Sequence, residues 1–331
     1  MRWTGAIAGA LALLSVACGG DGDGAASPSP GTNTAVAGTP SAGGGPWSSG
    51  QPMPVERAEV ASAVVGGRIY VVGGFVESGA NANHVDAYDP ATDTWSPVPP
   101  MPEPLDHAMA ASAGGKLYVV GGWRTFGREA SAATYEYDPA TETWTRRADL
   151  PSSRAAGVAV GHDGRIYVFG GVGADATVPY AYDPAADAWR ALSPMSRPRE
   201  HLAAAVAGDR IYVVGGRWSD GNLALAEEYD PAADSWREVA PMPTARGGLA
   251  AATVDGRVHV VGGESFGRGS RTFGEHEVYD PATGAWTRES DLPTPRHGLA
   301  AQGVDGRLYV IAGGRTPGLS VSSLVDVWAR E

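Results

Sequence analysis

Residues able to transfer protons or bind charged groups recur at one place in this chain. Six dipeptides stand in equivalent positions: Ala58-Glu59, Asp106-His107, Ala155-Ala156, Glu200-His201, Gly247-Gly248 and His297-Gly298. The residue before each is Arg57, Leu105, Arg154, Arg199, Arg246 or Arg296. The repeated arginine has two readings. Its planar, multi-donor head suits loop carbonyls between structural units, which is the preferred reading. The other makes Arg57, Arg154, Arg199, Arg246 and Arg296 ligand contacts that attract anionic groups, in a ring interrupted by Leu105. His107, His201 and His297 fall on alternate units, and three imidazoles around an axis could meet a metal. His297 is one position out of phase with the other two. The expectation is therefore three solvated loop histidines, with no metal and no cofactor. Asp106 and Glu200 would act as general bases if desolvated; the expectation for them is exposed loop carboxylates.

The elements that hold these residues come from an internal repeat. A Gly-Gly pair follows an apolar run at Gly73, Gly121, Gly170, Gly215, Gly262 and Gly313, at spacings of 48, 49, 45, 47 and 51 residues. Tyr-Asp-Pro follows five of these pairs, beginning at Tyr88, Tyr137, Tyr182, Tyr229 and Tyr279. A tryptophan stands seven residues after each tyrosine, at Trp95, Trp144, Trp189, Trp236 and Trp286. A period of this length signals an array of units, each too small to bury its own core. Within a unit, Gly-Gly, Asp-Gly or Gly-Asp between two apolar runs predicts a tight hairpin. Asp-Pro after the tyrosine predicts a second tight turn. Each unit is thus a four-stranded antiparallel meander, strands a to d, and no helical period appears.

The loops between strands b and c vary most. Trp123, Phe126, Trp218, Phe266 and Phe273 lie there beside arginines, as ligand anchors or as caps on the unit cores. Gly267-Arg268-Gly269-Ser270-Arg271 lacks the lysine and following helix of a phosphate loop. There is no His-Glu-x-x-His.

The sixth unit ends after its strand c, at Leu324-Val325-Asp326-Val327-Trp328. Its missing strand has a counterpart at the start of the array. Trp47-Ser48-Ser49-Gly50-Gln51-Pro52-Met53-Pro54 matches Trp95 to Pro102. A strand near Trp47 should close the last unit and remove an open sheet edge. The set Gly-Gly, Tyr-Asp-Pro, Trp and Pro-Met-Pro with an arginine resembles the kelch repeat. The resemblance implies an all-β, six-bladed β-propeller over residues 47–331. It also implies that ligands meet the face of the d–a and b–c loops, where Arg57, Asp106, His107, Trp123, Arg154, Arg199, His201, Trp218, Arg246, Arg296 and His297 would bind them.

Two functions fit. The first is a tethered, non-enzymatic, monomeric module for a protein or carbohydrate ligand. The alternative is a carbohydrate-active enzyme, because the repeats resemble those of bacterial sialic-acid mutarotases (N-acetylneuraminate epimerases). That chemistry would need Glu200 with Arg199 or Arg246 to hold and activate the sugar acid. The copper radical oxidases of galactose oxidase type, also kelch propellers, need a cysteine cross-linked to tyrosine. Cys18 is the only cysteine and lies outside the repeats.

Residues 1–18 read as an export signal, with Arg2 before the apolar run Ala6 to Leu14. Cys18 resembles the acylated cysteine of a bacterial lipobox, although Ser15 departs from the preferred apolar residue. Residues 19–46, rich in Gly, Ser, Ala, Pro and Thr, predict a disordered tether. The expectation is an exported chain anchored to a membrane through Cys18, on the cell surface or periplasmic face. A net charge of −12 argues against a nucleic-acid partner. A lone cysteine allows no disulfide within the chain.

Overall fold

The computed structural model describes residues 45–330, and all six units form four-stranded antiparallel sheets. Cys18 and most of the expected tether lie outside the described residues. Blade 1 is Ala61–Val65, Arg68–Val72, Val85–Asp89 and Thr94–Val98, strands a to d in chain order. Blades 2 to 5 repeat the order, with strands a at Met109–Ala113, Val158–His162, Ala203–Ala207 and Ala250–Val254. Blade 6 takes Ala300–Val304, Arg307–Ile311 and Val325–Ala329 from the end of the chain, and its fourth strand is Trp47–Ser49. The closing register pairs Trp47 with Trp328, Ser48 with Val327 and Ser49 with Asp326. The expected closure therefore stands.

Strands b carry the core because they are central in each sheet and covered on both faces. Arg68–Val72, for example, is buried at every position after the arginine. This is the continuous β-branched and aromatic run that a doubly covered strand requires. Strands d show the opposite pattern, with only the tryptophan and an occasional neighbour half-buried. Each tryptophan leans on its repeat tyrosine, as Tyr88 does on Trp95 with ring centroids 5.0 Å apart. Each also spends its N–H on the previous blade. The Nε1 atoms of Trp95, Trp144, Trp189, Trp236 and Trp286 donate to the carbonyls of Gln51, Pro99, Ala148, Ser193 and Ala240 at 2.7–2.9 Å. A buried indole with its N–H satisfied supplies area and direction together.

The sixth unit corrects the alignment made from the sequence. The Gly73 N–H donates to the carbonyl at the start of strand c, that of His84, and in blade 6 this role belongs to Ala312, which donates to Leu324. Ala312 has φ +61°, as Gly73 does. The pair equivalent to Gly73-Gly74 is thus Ala312-Gly313, not Gly313-Gly314. A Cβ at Gly73 would lie 2.4 Å from the Leu105 carbonyl oxygen, so glycine is needed there.

Strands a line an axial channel with a volume of about 360 Å³. Alanine dominates that lining because six strands converge on the axis. At Gly161 an added Cβ would stand 1.9 Å from the Ser112 carbonyl oxygen.

Candidate functional site at the channel mouth

The d–a segments and the b–c loops meet on one face. In each blade the residue after the repeat arginine, or after Leu105, pairs with the b–c loop just beyond the glycine pair: Ala58 with Phe75, Asp106 with Trp123, Ala155 with Val172, Glu200 with Arg217, Gly247 with Glu264 and His297 with Gly314. Two belts of main-chain hydrogen bonds then link the blades. In the outer belt the N–H groups of Gly74, Gly122, Gly171, Gly216, Gly263 and Gly313 donate to Leu105, Arg154, Arg199, Arg246, Arg296 and Arg57, at 2.8–3.0 Å. In the inner belt Glu59 donates to Gly298, His107 to Glu59, Ala156 to His107, His201 to Ala156, Gly248 to His201 and Gly298 to Gly248, at 2.7–3.1 Å. All six inner residues have positive φ, between 49° and 67°. The second residue of every dipeptide is thereby brought to the rim of the axial channel.

The five arginines do not face that rim. Arg57, Arg154, Arg199, Arg246 and Arg296 are all 0% exposed. Their guanidinium groups donate to the carbonyls of Gly73, Gly170, Gly215, Gly262 and Ala312. Four also pair with a carboxylate two residues before the repeat aromatic: Arg57 with Asp86, Arg199 with Glu227 at 2.6 Å, Arg246 with Glu277 at 2.5 Å and Arg296 with Asp326 at 2.6 Å. Blade 3 has Tyr180 at that position, and the Arg154 guanidinium lies 5.0 Å from its ring centroid. Blade 2 carries Leu105 and Tyr135 there, with neither charge. Burial pulls Arg57 and Arg199 down to about 10, against the opposing pull of Asp86 and Glu227. These side chains staple strands b and c of their own blade. Their bonds lie inside one blade rather than between units as expected, and all five are buried away from the rim.

The histidines and acids are the groups that converge, and they are not solvated. Asp106 is 1% exposed and His297 is 1% exposed. His107 Nδ1 lies 2.5 Å from Asp106 Oδ1, and His201 Nδ1 is hydrogen-bonded to Glu200. The two Nε2 atoms face each other at 3.0 Å. Glu59 Oε2 lies 3.3 Å from His107 Nε2 and 3.9 Å from His201 Nε2. Glu59 Oε1 lies 3.1 Å from His297 Nδ1, which is also 3.4 Å from Glu264 Oε2. The out-of-phase His297 thus joins the group through Glu59, a residue that sequence reading did not single out. The signal was present, since Glu59 occupies the same repeat position as His107 and His201.

Glu200 does not engage Arg199 or Arg246. Its cation is Arg217, whose Nε donates to Glu200 at 2.7 Å and whose Nη1 donates to Glu264 at 2.7 Å. Burial resists charge on Glu200, but His201 and Arg217 outweigh it and hold its pKa at about 2. Burial likewise opposes charge on His107 and His297. Glu59 and Asp106 raise the first, and Glu59 and Glu264 raise the second. The same histidines hold Glu59 far below the usual carboxylate range, against its own burial.

The loop aromatics divide. Trp123 is 9% exposed and Phe273 is 5% exposed, so neither presents its ring to solvent. Trp218 is half-buried. Phe126 is 60% exposed, with its ring centroid 5.4 Å from that of His107. Phe266 is 55% exposed and lies 4.9 Å from the Arg217 guanidinium.

The profile of the KLHDC2/KLHL20/DRC7 Kelch-repeats domain matches residues 46–216 and again residues 107–314. The chain belongs to the kelch-repeat family. Among solved structures, this kelch propeller is similar to the one titled "Structure of YjhT", with a TM-score of 0.72 and 19% identity, covering 84% of this chain and 99% of that one. At that identity the likeness is one of fold. No curated protein matches the sequence.

Proposed function

We propose that this propeller is a ligand-binding module that takes a protein or carbohydrate ligand on its d–a and b–c loop face. One observation carries the reading. The three large hydrophobic side chains exposed among the described residues, Phe126, Phe266 and Leu319, all lie in b–c loops of that single face. Exposed apolar groups gathered around a polar centre mark an interaction surface. The centre supplies carboxylates at Glu59, Asp106, Glu200 and Glu264, and its nearby cation Arg217 is engaged by two of them. Such a mouth favours neutral or cationic groups over anionic ones. Export and tethering of this domain to a membrane through Cys18 are part of the same proposal.

The test is a glycan array and a protein pulldown on the full chain, each repeated with Phe126→Ala/Phe266→Ala. Loss of a specific signal in the double variant supports the reading. No partner of either kind, or partners retained by the variant, rejects it.

A second reading, an enzyme resembling the sialic-acid mutarotases, is favoured by the carboxylate-backed imidazoles of His107 and His201, which suit acid–base chemistry. Arg217 weighs against it, because a sugar carboxylate would have to displace Glu200 or Glu264. NMR of freshly dissolved N-acetylneuraminate tests it. Anomer exchange no faster than in buffer rejects it.

A further inference from the structure

Glu59, His107 and His201 come from blades 1, 2 and 4, yet their three polar atoms meet above the channel with separations of 3.0, 3.3 and 3.9 Å. The protonation pattern makes this meeting informative. Both Nδ1 atoms face carboxylates, Asp106 for His107 and Glu200 for His201, and both must donate to them. In the neutral imidazoles each Nε2 then carries a lone pair. Two lone pairs and a carboxylate oxygen would then point at one another, and three acceptors at these distances need a positive charge between them, which either a proton on a ring or a bound cation supplies.

We propose that Glu59, His107 and His201 bind a first-row divalent transition ion of the zinc type. Four features support the assignment, and none depends on which ligand the rim takes. The first is spacing. A tetrahedral ion with bonds of about 2.0–2.1 Å separates its ligand atoms by about 3.3 Å, a value bracketed by the 3.0, 3.3 and 3.9 Å present. The second is chemistry. Two imidazoles and one carboxylate form a ligand set of catalytic zinc sites, with a fourth position left open.

The third is support behind each ligand. A carboxylate behind each metal-bound imidazole fixes its tautomer and raises its basicity. Here Asp106 backs His107 and Glu200 backs His201, with Glu200 itself held by Arg217 at 2.7 Å. His297 holds Glu59 Oε1 at 3.1 Å and leaves Oε2 turned to the imidazoles. The fourth is backbone cost. Glu59, His107 and His201 hold φ of 53°, 49° and 51°, as Ala156 of blade 3 does at 57°, whereas the equivalent residues of blades 5 and 6 are glycines. Side chains are kept at left-handed positions where their functional groups converge.

The neighbouring group of Glu59, Glu264 and His297 is a different arrangement. His297 Nε2 lies 3.1 Å from the Thr316 carbonyl, so its Nδ1 must also be protonated to face two carboxylates. That ring is an imidazolium between Glu59 and Glu264 and leaves no nitrogen for an ion.

The experiment is a calorimetric titration of the untagged, chelator-stripped full chain with Zn²⁺. The expected result is one ion per chain. His107→Ala/His201→Ala should weaken binding more than about 100-fold, and Asp106→Asn about 10-fold through loss of imidazole positioning. No saturable uptake, or equal uptake by the double variant, overturns the proposal and leaves a shared proton between the rings. Should the variants not fold, Co²⁺ added to the unaltered chain decides. Strong visible bands of a low-coordinate, nitrogen-ligated ion support the site, and the weak spectrum of hydrated Co²⁺ overturns it.

Discussion

Trp47 Nε1 donates to the Ser290 carbonyl at 2.8 Å, across 243 residues of sequence. The bond is the sixth member of the set in which each blade's tryptophan grips the blade before it. Trp47 therefore joins blades 5 and 6 as well as ending the sheet of blade 6. Trp47→Ala should cost about 2–3 kcal/mol, less than a fully buried tryptophan because the ring is half-exposed. Chemical denaturation would measure it. A change under about 0.5 kcal/mol would mean that the closing strand holds without this contact.

The arginine staples predict unequal effects among blades. Glu227→Ala leaves the Arg199 guanidinium buried and charged, and should cost about 3–5 kcal/mol. Tyr180→Leu in blade 3 removes only a ring beneath Arg154, which keeps its carbonyl partners Gly170 and Asp175. Its cost should be smaller by about 1–2 kcal/mol. Urea midpoints for the two variants test the ranking, and an equal loss would contradict it.

Between blades 5 and 6, His259 Nδ1 and His276 Nε2 lie 2.9 Å apart beneath Trp328. Burial above all lowers them to about 4 and about 3. Both values lie below that of an unfolded histidine, about 6.5. The unfolded chain therefore takes up protons first as pH falls. The contribution is fully present above about pH 6.5 and is lost progressively through pH 4 and 3. Stability should fall by a few kcal/mol between pH 7 and pH 4, and His259→Phe should flatten that slope. A slope unchanged in the variant would assign the effect elsewhere.

Ala312 holds the left-handed φ that glycine supplies in the other five blades. Ala312→Gly should raise stability by about 0.5–1 kcal/mol, the relief of the left-handed penalty less the added freedom of the unfolded chain. Thermal denaturation at fixed pH would show it as a small rise in Tm.

The same residue marks where sequence reading slipped. The pair Gly313-Gly314 matched the repeat by letter, but main-chain bonding selects Ala312-Gly313, because φ decides the match and a short side chain can be held there at a cost. Closure was legible because Trp47 to Pro54 shares Trp-Ser and Pro-Met-Pro with Trp95 to Pro102 at the same spacing. The burial of the arginines was legible in principle too. Asp86, Glu227, Glu277 and Asp326 each precede the repeat aromatic by two residues, and only where an arginine stands in the same blade. The convergence of Glu59, His107 and His201 was not legible. Their separation depends on the radius of the inner belt, which no residue type reveals, and Arg217 reaches Glu200 from a loop of variable length.

The inner belt is made of main-chain atoms alone, from Glu59 through Gly298 and back. That belt is therefore indifferent to the identities of the side chains it displays. Ala156 could be exchanged for an acid or an imidazole without breaking a single link of that belt. The hub thus has a free socket at Ala156 but none at Gly298, where an added Cβ would stand 2.8 Å from the Glu59 main-chain nitrogen, and its chemistry can be rewritten, by evolution or by design, only where such room exists.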